Sequence, residues 1–108
     1  MNVPTVNQEG FEQIVNSGET ALIEFGASWC APCRALGPIL DEMSAEYGAS
    51  LPIAKVDVDD SPELASTYGV MSMPTVILFY KGSPVDKLVG LRSKAVYQAA
   101  VERSCKVS

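Results

Sequence analysis

The chain contains no histidine at any of its 108 positions. That excludes the Ser/His and Cys/His pairs by which many nucleophiles are activated, and it removes imidazole from any metal site. Basic residues are scarce as well. Eight Lys and Arg stand against thirteen Asp and Glu, for a formal charge of −5. With no basic run, nucleic acid and anionic membrane surfaces are excluded as favoured partners. No apolar run approaches the roughly 20 residues of a bilayer span. The opening "MNVPTVNQEGF" has neither a charged n-region nor an apolar h-region. An unprocessed cytoplasmic chain, starting at its initiator Met1, is therefore expected. Cysteine is rare, with three in all, too few and too unevenly placed for a secreted disulfide framework. Cys30 and Cys33 are three residues apart, and Cys105 lies near the C-terminus. In a reducing compartment such a close pair is more often catalytic or metal-binding than structural.

What is present is a regular alternation of elements. Apolar residues make up 47% of the chain, enough for a core without staples. No linker, repeat or low-complexity stretch interrupts it, so one domain over residues 1–108 is expected. "TALIEF" (Thr20 to Phe25), "LPIAKVDV" (Leu51 to Val58) and "TVILFY" (Thr75 to Tyr80) are rich in β-formers and bounded by turn residues. "VDKLVG" (Val85 to Gly90) reads as a further strand, joined to the third run by "KGSP" in an antiparallel hairpin. A short first strand is expected near Val3 to Val6. Asn7 caps a helix with Phe11, Ile14 and Val15 on one face, ending at Ser17-Gly18. From Cys33 to Tyr47, Leu36, Leu40, Met43 and Tyr47 form one stripe. Pro38 inside that helix removes a hydrogen bond and predicts a kink. Ser61-Pro62-Glu63 starts a third helix that Gly69 ends. A last helix runs from Ser93 to Ser104. The order β-α-β-α-β-α-β-β-α predicts parallel strands with helices on both faces plus the antiparallel hairpin. That is a three-layer α/β sandwich on a mixed central sheet.

Position gives the cysteine pair its chemistry. Cys30-Ala31-Pro32-Cys33 falls between the end of a strand and the start of the long helix. A helix N-terminus carries partial positive charge and free N–H groups, which favour an anion. A thiolate is that anion, so Cys30, at the exposed end, should have a lowered pKa. Cys33, one turn in, should be the more buried and less ionised sulfur, close enough to close and reopen a disulfide with Cys30. Pro32 stiffens the loop between them. A metal site would need two more ligands, which no second cysteine pair or histidine supplies.

Glu24 is the only charge in "TALIEF", and Lys55 is a lone charge inside "IAKVDV". A carboxylate inside a sheet is costly unless paired or protonated, and burial raises its pKa. Six residues before Cys30, such an acid can relay a proton to or from Cys33. The alternatives are an exposed acid or a neutral, hydrogen-bonded core acid. Met73-Pro74 at the entry to the third long run is either an ordinary strand-edge proline or a cis-proline, and most X-Pro bonds are trans.

These residues resemble the thioredoxin family from about Asn7 to Arg103. The resemblance rests on "WCAPC" (Trp29 to Cys33), "PILDE" (Pro38 to Glu42), "KVDVD" (Lys55 to Asp59), "YGVMSMPT" (Tyr68 to Thr75), "FYKG" (Phe79 to Gly82) and Val89-Gly90. It implies a thioredoxin-like fold and a protein-disulfide reductase without a cofactor. Cys30 would be the attacking thiolate and Cys33 the resolving thiol. Glu24 stands where the family usually has a buried aspartate, and Lys55 is a further candidate for the catalytic set. Pro74 matches the family's cis-proline. Trp29, Pro32, Met73, Pro74 and Gly90 would line the groove for an extended substrate segment. The implied partners are protein disulfides and a thioredoxin-reductase-like electron donor, with the chain acting as a monomer. Three residues depart from the family pattern: Ala31 for glycine, Glu24 for aspartate and Gly26 for a common tryptophan. Cys105 is expected to be a packed or idle cysteine rather than a third redox thiol.

Overall fold

Asn7 sets the first boundary of the fold. Its side chain accepts a hydrogen bond from the Gly10 N–H at 3.0 Å and caps α1 (Gln8–Val15), which buries Phe11 and Val15. The computed structural model describes residues 3–105. After α1 the chain enters β1 (Thr20–Gly26), then α2 (Ala31–Tyr47), a single 3-10 turn at Gly48–Ser50, β2 (Ile53–Asp57), α3 (Pro62–Thr67), β3 (Thr75–Tyr80), β4 (Ser83–Val89) and α4 (Lys94–Cys105).

The sheet order is β2-β1-β3-β4. Every residue of β1 is buried, because helices cover both faces of the sheet. On one face Leu22, Val76, Leu78 and Leu88 pack with Leu36, Leu40 and Met43 of α2 and with Tyr97, Ala100 and Val101 of α4. On the other, Ile23, Phe25, Ile77 and Phe79 pack with Phe11 and Val15 of α1 and Leu64 of α3. These are the three expected layers. The second face is tied together by aromatic contacts, with the Phe11 ring 5.4 Å from Phe79 and 5.6 Å from Tyr68.

Two expectations about the sheet need correction. The first strand near Val3 to Val6 is one parallel bridge, Thr5 to Lys55, on the β2 edge. The Val6 N–H donates to the Lys55 carbonyl and the Lys55 N–H donates to the Pro4 carbonyl, each at 2.8 Å. Pro4 has no N–H with which to extend that ladder. The second correction concerns direction. β1 and β2 are parallel, but β3 runs antiparallel to β1. A parallel β3 would need the connection to return to the far end of the sheet; instead Thr75, which starts β3, pairs with Phe25 near the end of β1. The chain therefore re-enters from the end at which it left.

That reversal places the site. Phe25 near the end of β1 pairs with Thr75 at the start of β3, and Thr75 pairs with Val89 at the end of β4. The segment after β1, the segment before β3 and the segment after β4 thus meet at one edge. The antiparallel hairpin is as expected, but its turn is Lys81-Gly82 alone (φ 52° and 85°, both in the left-handed region of a type I′ turn), because Ser83 and Pro84 already pair within β4. α2 runs without interruption through Pro38, which is exposed. Ser61 precedes α3, but its side chain makes no capping hydrogen bond.

Candidate active site

α2 starts two residues earlier than its apolar stripe predicts. Cys30 is its N-cap, with extended backbone (φ −91°, ψ 111°), and the Cys33 N–H donates to the Cys30 sulfur at 3.3 Å. Pro32 sits exposed in the first turn, where a missing N–H costs nothing, and no acidic residue occupies that turn. The field there favours a thiolate on Cys30. Cys30 and Cys33 are joined as a disulfide, with their Cα atoms 5.3 Å apart.

The expected difference in burial between the two sulfurs is absent. Cys30 is 6% exposed and Cys33 8%. Cys30 is covered because Ala27, Val58 and Met73 pack against the pair, and sequence spacing on one helix gives no view of that cover. Met73-Pro74 is a cis peptide, which decides the question the sequence left open. Pro74 is buried, and its carbonyl accepts from the Gly90 N–H at 2.8 Å. Gly90 has φ +87°, a conformation that favours glycine. The cysteines, Met73, Pro74 and Gly90 therefore come together at the sheet edge.

Trp29 is 63% exposed, and its indole N–H donates to the Asp59 carboxylate at 2.8 Å. Asp59 is a site residue that sequence reasoning missed. Its signal was faint: it follows β2 in a run of acids and lies thirty positions from Trp29. Arg34 also escaped notice, and its guanidinium ties the loop by donating to the Ser28 carbonyl at 2.8 Å. Met71 (92% exposed) and Leu91 (44%) flank Met73 and Gly90 in the chain and add apolar surface.

Glu24 is 3% exposed, which removes the exposed-acid reading. Its Oε2 has no hydrogen-bond partner among the described residues, which leaves a buried acid without the bonds that a settled core acid makes. Lys55 is its partner across the β1–β2 ladder. Burial pushes the Glu24 carboxyl up to about 7, against the pull of the nearby Lys55 ammonium. Lys55 itself is partly buried. A cavity of about 200 Å³ opens here, lined by Glu24, Gly26, Cys33, Arg34, Lys55 and Asp57 among others. Glu24 Oε2 and Cys33 Sγ converge on the space over Gly26, where a Cβ would lie 2.5 Å from the oxygen and 3.0 Å from the sulfur. Acid and sulfur are thus neighbours, and proton exchange between them, directly or through one water, is chemically open.

Cys105 stands apart. It is exposed at the end of α4, with its sulfur 3.6 Å from the Thr20 hydroxyl. Thr20 begins β1, and Gly26 at the cysteine-pair end lies about 20 Å along the strand.

Residues 2–103 match the family model described as Thioredoxin. The thioredoxin of Staphylococcus aureus (strain Mu50 / ATCC 700699) is 44% identical over 94 residues, covering 87% of this chain and 89% of that protein. Among solved structures, a mutant thioredoxin from Halobacterium salinarum NRC-1 superposes with a TM-score of 0.88 at 30% identity, covering 98% of this chain and 94% of that one. The Plasmodium falciparum thioredoxin gives 0.84 at 32% identity, with coverage of 94% and 98%.

Proposed function

This chain belongs to the thioredoxin family, a family of thiol-disulfide oxidoreductases, and from that premise we propose how its own residues divide the work. The activity is protein-disulfide reduction through the Cys30/Cys33 pair. In the reduced protein the Cys30 thiolate attacks one sulfur of a substrate disulfide. A Cys30–substrate bond forms, and the substrate's S–S bond breaks with release of one thiolate, which takes up a proton. Cys33 then loses its proton and attacks the Cys30 sulfur. The second substrate thiol leaves, and the Cys30–Cys33 disulfide holds the two-electron oxidation.

Glu24 takes the Cys33 proton in that second step. A carboxyl near 7 is matched to a task at neutral pH. Lys55 assists by favouring the carboxylate, the form of Glu24 that can accept the Cys33 proton. Trp29, Pro32, Met73, Pro74 and Gly90 form the groove. A substrate strand there would find the exposed indole and the backbone around the cis-proline. Electrons return from a thioredoxin-reductase-like donor, and the protein works in the cytoplasm as a monomer.

The observation that carries this reading is the placement of Cys30 as the N-cap of α2, with the Cys33 N–H on its sulfur. Reduction of insulin by dithiothreitol, followed by turbidity, tests it. The wild-type protein should accelerate the reaction, and Cys30→Ser should abolish the acceleration. Retained activity in Cys30→Ser would overturn the assignment of the nucleophile.

A further inference from the structure

Gly26 ends β1 in a conformation that does not demand glycine, since its φ lies outside the left-handed range. The reason for glycine is space. Residues 24 and 26 share one face of the strand, and a Cβ built on Gly26 would stand 2.5 Å from Glu24 Oε2, with Cys33 Sγ at 3.0 Å. The oxygen at that spot is buried and, among the described residues, has no hydrogen-bond partner to hold it.

We propose that Gly26 is a positioning residue for proton transfer: its missing side chain is the space that seats the Glu24 carboxyl beside Cys33, and positions 24 and 26 act as one unit. The longer acid at 24 reaches over 26 only because 26 is bare. An added methyl must push the oxygen back by about 1 Å to restore ordinary contact. The oxygen is the free end of a flexible chain, so the fold survives and the geometry gives way. Misplacement of that size lowers a rate by as much as about 100-fold when the displaced group takes part in the reaction. The displaced carboxyl moves towards Lys55 or the open cavity, and both favour its charged form.

This inference rests on Glu24 as the proton acceptor of the resolving step, so the experiment separates the two ideas. Reduced proteins, all carrying Cys105→Ser so that only Cys30 and Cys33 present thiols, are mixed with Ellman's reagent in stopped flow: the parent, Gly26→Ala, Glu24→Asp and the double variant. The first thionitrobenzoate released reports attack by Cys30, and the second reports resolution by Cys33. The ratio of second to first rate should fall about tenfold near pH 7 in Gly26→Ala. In the Glu24→Asp background the same methyl should change it by less than about twofold, because the shorter acid no longer occupies the space. Carbon-13 NMR of the Glu24 carboxyl in the oxidised proteins should show a lower titration midpoint in Gly26→Ala. A tenfold cost that persists in the Glu24→Asp background would show that the methyl acts on Cys33 instead, and would overturn the proposal. An unchanged carboxyl midpoint in Gly26→Ala would overturn it too. If Glu24→Gln resolves as fast as wild type, the relay role falls, while the NMR midpoint still decides whether Gly26 seats the acid.

Discussion

Replacing Glu24 with glutamine removes a buried group whose charge the folded protein resists. The unfolded chain releases that proton near 4.5, whereas the folded protein holds it to about 7. Between those values the folded state binds more protons than the unfolded state, so stability falls as pH rises. The loss is complete above 7 and absent below 4.5. A difference of that size corresponds to about 3 kcal/mol. Glutamine cannot ionise and escapes this loss. Its amide has its own burial cost, but that cost is the same at every pH. The informative quantity is therefore the stability of Glu24→Gln minus that of wild type, taken at pH 8 and again at pH 4. It should become more favourable to the variant by about 3 kcal/mol across that interval, or roughly 10 °C in Tm for a domain of this size. Urea unfolding of the oxidised proteins at both pH values measures it. A difference that changes by less than about 1 kcal/mol between the two pH values would mean that Glu24 is not titrating in a desolvated site, and would undercut its part in proton transfer.

Other outcomes follow from individual contacts. Phe11→Ala removes a ring packed on Phe25, Tyr68 and Phe79 and should cost about 3–5 kcal/mol in urea unfolding, with insulin reduction intact at low temperature. Asp59→Ala removes the acceptor of the Trp29 indole N–H. It should lower the fluorescence anisotropy of this lone tryptophan and raise the KM for insulin by a few fold, with kcat held. Cys105→Ser should leave insulin reduction at the wild-type rate, because that sulfur lies at the opposite end of β1 from the pair.

The long strands were readable because Thr20 to Phe25 and Thr75 to Tyr80 are unbroken runs of β-formers, and a strand buried on both faces needs such a run. Asn7 was readable because capping is a local bond. The cysteine pair was readable because a strand, a short gap and a helix stripe place it at a helix N-terminus. Strand direction was not readable. Apolar patterning is the same in either direction, so β3 could be placed but not oriented. The cover that Met73 and Val58 place over Cys30 comes from other elements, so the burial of that residue has no local signal in the sequence. The bond from Trp29 to Asp59 spans thirty residues and has no local signature. Glu24 and Gly26 were singled out separately as departures from the family. Only the close approach in space, 2.5 Å from a notional Cβ to the acid, joins them.

The central claim is that Cys30 attacks and Cys33 resolves. Cys33→Ser tests it most directly, because without a resolving thiol the intermediate must accumulate. The reduced variant is incubated with an excess of a disulfide-bonded peptide, digested without reductant and analysed by mass spectrometry. A one-to-one mixed disulfide on Cys30 is predicted, with Cys105 left as a free thiol. An adduct carried by Cys105 with Cys30 unmodified, or no adduct under conditions in which wild type turns over, would contradict it.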